Sequence, residues 1–260
     1  MCMSSAGSRL PPQVPPHLDE AQQKLFDNIV DTRIKIVGKE ALFDEEGALR
    51  GPWNPEVASP GLGQHLERLA TAIRTENSLE ARLVEVAILV VGVHWQVGTA
   101  RPFARMQLPH THTLSLSFSL DRALLPCLLP GLKLCTHFLP SSNPSQAQFE
   151  WYAHEKIARK AGVAEAAFPL MKAAVRPEEL EGVLQPDEVA VYKLALELME
   201  TKRVSAATYE ETKRALGGDD RKMADLCMTM GCYSAVSKLL NMFEVPLPQG
   251  AALPFPEPHR

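Results

Sequence analysis

The stretch "SLEARLVEVAILVVGVHW", residues 78–95, decides how this chain folds, because between Leu83 and Val93 it holds a single charged side chain, Glu85. The pattern predicts a helix capped by Asn77 or Ser78, with Glu80 in its first turn, running to about Val93. A helix that is apolar nearly all round belongs at the centre of a protein. An ionised carboxylate there costs several kcal/mol unless it is neutralised or hydrogen-bonded, and burial raises its pKa. Glu85 therefore needs a partner; Arg82 or a helix terminus would serve structurally, and a catalytic group would serve chemically.

Working outward, Leu25, Phe26, Ile29, Val30 and Ile34 recur at helical spacing and predict a helix over 18–37 that stops at Gly38. Residues 45–61, rich in Gly and Pro, read as an ordered turn region, and Leu62, Leu66, Leu69, Ala70 and Ile73 resume the period to about Arg74. Downstream, "QFEWYAHEKIARKAG" (148–162) has an acid near its start, Arg159 and Lys160 in its last turn and Gly162 as its stop, all helical signals. "AEAAFPLMKAAV" is helical with a kink or restart at Pro169; Pro186 opens a further helix, Ser205–Leu216 forms a short one, and Asp219 caps a long one to about Phe243. No alternating strand pattern occurs, so the expected fold class is all-α.

The 45% apolar and 22% charged content is that of an ordinary soluble globular protein, and 260 residues suffice for one domain with a sizeable core. A net charge of −4 and pI near 6.1 give no broad basic surface, so a nucleic-acid partner is not expected. No apolar run reaches the roughly 18 residues of a membrane span. The opening "MCMSSAGSRLPPQVPPHLDE" lacks the layout of a signal peptide; residues 1–17 are expected to be a disordered tail, 18–250 a single domain, 251–260 a Pro-rich tail, and the location cytoplasmic. The five cysteines (Cys2, Cys127, Cys135, Cys227, Cys232) are odd in number and show no CxxC or Cys/His ligand spacing, which argues against a disulfide framework and a metal site.

Glu150 and His154 stand i, i+4 on one predicted helix, so their side chains share a face, about 5–6 Å apart at Cβ. With Glu85 they make two carboxylates and an imidazole, the parts of an acid–base site near neutral pH; a structural hydrogen-bond network is the competing reading. His94, Tyr152 and Trp151 are candidate substrate-binding residues, with packing as the alternative for the tryptophan. No Walker loop, HExxH, GxSxG or dinucleotide fingerprint is present.

Four segments in order, "GPWNPEVASPGLGQHLERLATAIR", "SLEARLVEVAILVVGVHW", "QFEWYAHEKIARKAG" and "LLNMFEVPLP", resemble the carboxymuconolactone decarboxylase-like proteins of the alkylhydroperoxidase D-like (AhpD-like) superfamily. The resemblance runs from about residue 20 to 250, apart from the stretch between the second and third segments. It implies packed helical hairpins, assembly into trimers or hexamers with sites near subunit interfaces, no cofactor, and decarboxylation or related lactone-ring chemistry on a small carboxylated substrate. It makes His154 the proton donor, Glu85 its relay and Glu150 a second acid/base. The superfamily's peroxidase branch carries CxxCxxxH with a relay Glu twelve residues earlier. Anchored on His154, the two Cys positions fall on Ala147 and Glu150, so a thiol peroxidase is disfavoured here; a non-catalytic oligomeric binding protein is a third possibility.

The relay Glu falls on Glu85 only if Val97–Gln146 is left out of the count. That stretch is biased to Leu, Ser, Pro and Phe, has Asp121 as its one acid, and begins and ends on residues whose codons can read GT and AG. It is expected to be a retained intron of a eukaryotic gene or a poorly ordered loop, and its His110, His112 and His137 receive no metal assignment.

Overall fold

A computed structural model of the chain describes residues 8–96 and 148–255; residues 97–146, singled out above as an insertion, lie outside the described residues. Among the described residues are ten α-helices and no strand, so the fold is all-α.

The first helix, α1 (Glu20–Val37), starts on a reciprocal cap in which Asp19 accepts from the Gln22 N–H and the Gln22 side chain accepts from the Asp19 N–H. It stops at Gly38, whose φ of 81° is open to glycine at little steric cost. After the one-turn α2 (Lys39–Leu42) comes a departure from expectation, since the region 45–61 contains a short helix, α3 (Trp53–Ala58). Its prolines mask it from sequence patterns: Pro52 and Pro55 sit where a helix's first N–H groups have no partner to lose, and Pro60 opens α4 (Pro60–Thr75). Helices α3 and α4 pack so closely that a Cβ on Gly63 would lie 2.2 Å from the Glu56 carbonyl oxygen.

The central helix is α5 (Ala81–Gln96), and every residue from Leu83 to Val93 is buried. It packs against α6 (Gln148–Ala161), α8 (Pro186–Thr201) and α10 (Asp220–Met242), while α7 (Ala167–Ala173) and α9 (Ala206–Ala215) complete the shell. Each fully buried Ile, Leu or Val in α5 contributes roughly 1.5–3 kcal/mol. A smaller apolar cluster, formed by Leu25, Phe26 and Ile29 with Leu42, Leu49 and Val57, joins α1 to α2 and α3.

Asn77 and Ser78 do not cap α5. Asn77 Oδ1 accepts from the Leu79 N–H, its amide donates to Thr229, and Ser78 donates both its N–H and its hydroxyl to Asp225, so the two residues fasten the α4–α5 loop to α10. Arg82 is likewise not the partner of Glu85; it forks onto Asp187 at 2.8 and 2.5 Å and ties α5 to α8. The segments expected as tails are bonded to the body where described: the Arg9 N–H donates to the Phe243 carbonyl, the Gln13 N–H to Asn54, and Phe255 exchanges two hydrogen bonds with the Gln148 amide at 3.0 and 3.2 Å. Among the described residues no helix is long and apolar enough to cross a membrane.

Candidate acid–base site

Four helices bring the site together. α5 supplies Glu85, 1% exposed; α6 supplies Glu150 and His154, 2% and 7% exposed; and α10 supplies Tyr233 and Ser237, one turn apart and both buried. The last turn of α4 contributes Arg74. Glu85 thus has its partners, and they come from two other helices.

His154 Nδ1 lies 2.8 Å from Glu85 Oε2, while the Arg74 guanidinium donates to Glu85 Oε1 at 3.1 Å and to the Tyr233 hydroxyl at 2.9 Å. The Tyr233 ring meets the imidazole edge-on, with centroids 4.8 Å apart. Burial alone pushes the Glu85 carboxyl up, but His154 and Arg74 together outweigh it and hold the group below its ordinary range. An ionised Glu85 accepts, so Nδ1 carries the imidazole proton and Nε2 is left with its lone pair. Arg74 Nη2, 3.5 Å from Nδ1, is then a charge contact between two donors and not a hydrogen bond. Burial lowers the His154 pKa; Glu85 opposes and Arg74 adds to the lowering, so the resting imidazole is neutral. Among the described residues Nε2 has no hydrogen-bond partner.

Glu150 is the opposite case. Burial raises its pKa to about 8, against a Ser237 hydrogen bond that pulls it down, and nearby Glu85 adds to the rise. The Ser237 hydroxyl donates to Oε2, which leaves the proton of the neutral acid on Oε1, a buried atom with no partner among the described residues. Two carboxylates in one site are therefore held in different protonation states by their surroundings, the condition that separates an acid from a base role. Glu150 and His154, which share a helix face, do not bond each other among the described residues: Glu150 pairs with Ser237 and His154 with Glu85.

The remaining candidates lie elsewhere. Trp151 is fully buried, donates to Glu155 Oε2 at 2.5 Å and meets Phe255 edge-on, so it packs. Tyr152 lies against Phe149 and under the Lys156 ammonium. His94, half-buried, has Nε2 3.3 Å from Lys202 Nζ, and burial followed by the Lys202 charge lowers its pKa. Arg74, Tyr233 and Ser237 were not singled out by the sequence; the i, i+4 spacing of the last two on a helix was the available signal.

A separate cavity of about 710 Å³ is lined by Leu10, Asp44, Arg50, Gly51, Asn54 and Leu247, outside this constellation. Three of its polar side chains are engaged: Asp44 accepts from the N–H groups of Glu46 and Ala48, Arg50 bonds Phe43 and Glu45, and Asn54 bonds Gln13 and Pro11. The perturbed groups, and not that cavity, mark the candidate site. Among the described residues no group of three or more His, Cys, Asp or Glu is placed to hold a metal ion. Comparison with protein-family models, curated proteins and solved structures returns no match to this chain.

Proposed function

We propose that this protein is a cofactor-independent acid–base enzyme, a decarboxylase or related lactone-ring enzyme of the carboxymuconolactone decarboxylase-like kind, acting on a small carboxylated substrate. The observation that carries the reading is that Glu85 lies 2.8 Å from His154 Nδ1 and accepts from Arg74, surroundings that favour its ionised form, while Glu150 is buried with Oε1 unpartnered among the described residues, surroundings that favour its neutral form. In a γ-carboxy-butenolide the bond from ring carbon to carboxylate breaks, CO₂ leaves, and the electron pair enters the conjugated carbonyl as a dienolate. Glu150 delivers the proton to carbon. His154 takes a proton from solvent at Nε2, Glu85 stabilises the imidazolium formed, and that proton passes through water to the Glu150 carboxylate, which restores the acid. The net reaction consumes one proton.

Thiol chemistry has less support: Cys232 is buried with its thiol pushed up to about 12, first by burial and then by Glu56 and Glu150, and Cys227 is exposed on the outer side of α10. The reading includes the expected homo-oligomer, a trimer or hexamer, and a cytoplasmic location; Leu62, Met228 and Met242, between 60% and 76% accessible, are apolar side chains that a subunit interface would cover. The test is CO₂ release from γ-carboxy-butenolide: His154→Asn and Glu150→Gln each lower the rate about 100-fold or more. A variant of either kind that keeps half the parental rate overturns the reading.

A further inference from the structure

Three buried polar atoms without partners belong to residues that meet at one junction: Glu150 Oε1, Trp95 Nε1 and Asn241 Oδ1. Their adjacency follows from contacts around them. Asn241 donates to the Trp95 carbonyl at 2.9 Å; Ser237, one turn earlier on α10, donates to Glu150; and a Cβ on Gly92, one turn before Trp95, would lie 3.8 Å from Glu150 Cγ. The end of α5, the start of α6 and the 237–241 turn of α10 thus bring together three residues that carry an unused indole N–H, an unused carboxyl oxygen and an unused amide oxygen among the described residues. The other such atoms among the described residues are on Glu56, Glu67 and Glu188, and the last two side chains are in ion pairs with Arg33 and Arg82.

A buried donor or acceptor left unpaired is costly, so three at one junction need a reason. Cations stand beside it: Lys238 Nζ lies 5.1 Å from the centroid of the Trp95 ring, and Lys202 Nζ lies beside His94, whose ring meets Trp95 edge-on. Neighbouring cations favour an anion, the indole donor suits a carbonyl or carboxylate oxygen, and the amide oxygen suits a ligand hydroxyl.

We propose that Trp95, Glu150 and Asn241 form the substrate subsite of this centre, with the Trp95 N–H donating to an oxygen of a small oxygenated carboxylic acid and Glu150 beside it as the acid that protonates carbon. Asn241 holds the Trp95 backbone and offers its Oδ1 to a substrate hydroxyl. The assignment rests on the acid–base reading above, since it makes the oxygen that gathers charge during decarboxylation the one held by the Trp95 N–H.

The test uses the full chain labelled with ¹⁵N on its tryptophans, which gives three indole resonances; the one missing in Trp95→Phe identifies Trp95. Titration with γ-carboxy-γ-butyrolactone, a saturated lactone acid with no conjugated carbonyl to accept the electron pair, shifts the Trp95 indole resonance and leaves those of Trp53 and Trp151 in place, and Trp95→Phe weakens binding about 10-fold. An unmoved Trp95 signal, no binding by the parent protein, or equal affinity in Trp95→Phe overturns the subsite. The two proposals fail separately: Trp95-dependent binding of the saturated acid without turnover of the butenolide acid counts against the enzyme reading alone, whereas His154-dependent turnover with an unmoved Trp95 counts against the subsite alone.

Discussion

Glu85 and His154 are 69 positions apart in the chain and 2.8 Å apart in the fold, and the carboxylate is held on its other oxygen by Arg74. The arrangement fixes the imidazole tautomer and keeps Glu85 charged in an apolar helix, and the predictions below test both consequences.

Replacing His154 by Asn removes the buried partner of Glu85 and leaves the carboxylate with Arg74 alone. The variant is less stable by about 3 kcal/mol at neutral pH, read from urea midpoints at constant slope. Glu85→Gln/His154→Asn recovers part of that loss, because the uncompensated charge is gone; additivity of the two losses would contradict the pairing.

Glu150 predicts a specific pH dependence. Its folded-state pKa, about 8, is raised above its ordinary value of 4.5, so its contribution to stability is fully present below about 4.5 and is lost as pH rises toward 8. The slope in that window approaches about 1.4 kcal/mol per pH unit for one proton. His154, with a lowered folded pKa, acts the opposite way, destabilising as pH falls below the ordinary histidine value. The stability difference between Glu150→Gln and the parent isolates the first effect: it grows in favour of the glutamine variant from pH 5 to 8. A difference that stays flat over that range would show Glu150 to be ionised.

Arg74→Met removes the guanidinium shared by Glu85 and Tyr233. It lowers stability by about 2–3 kcal/mol, and Tyr233→Phe by only about 1 kcal/mol, since a neutral hydroxyl has less to lose than a buried carboxylate. Thermal melts of the two single variants and the double variant separate these costs.

Gly63→Ala brings a methyl group to 2.2 Å from the Glu56 carbonyl oxygen, with backbone on both sides. Helices α3 and α4 must separate, and stability falls by about 3 kcal/mol. A change below 1 kcal/mol in the melting analysis would place those helices further apart than described here.

Removing Val97–Gln146 joins the end of α5 to the start of α6 through Ala147. The last turn of α5 already lies against the first turn of α6, since Gly92 faces Glu150 and the Trp151 N–H. The shorter chain is expected to be soluble and helical, with a melting temperature no lower than that of the full chain and the same His154-dependent activity; an insoluble shorter chain would contradict this.

The all-α class and most helix boundaries were legible in the sequence because period, caps and stops are local. Asp19, Gly38, Ser205 and Asp219 each act within one turn of themselves. The short α3 was not legible, since its prolines look like turn signals until their place in a first turn is known. Within the site, the sequence by itself determined that Glu85 must be held and that Glu150 and His154 share a helix. Only the tertiary structure decided that Arg74 and His154 hold Glu85, that Ser237 draws Glu150 away from His154, and that Trp151 packs. Burial and long-range contact set a protonation state, and neither is a property of residues adjacent in the chain.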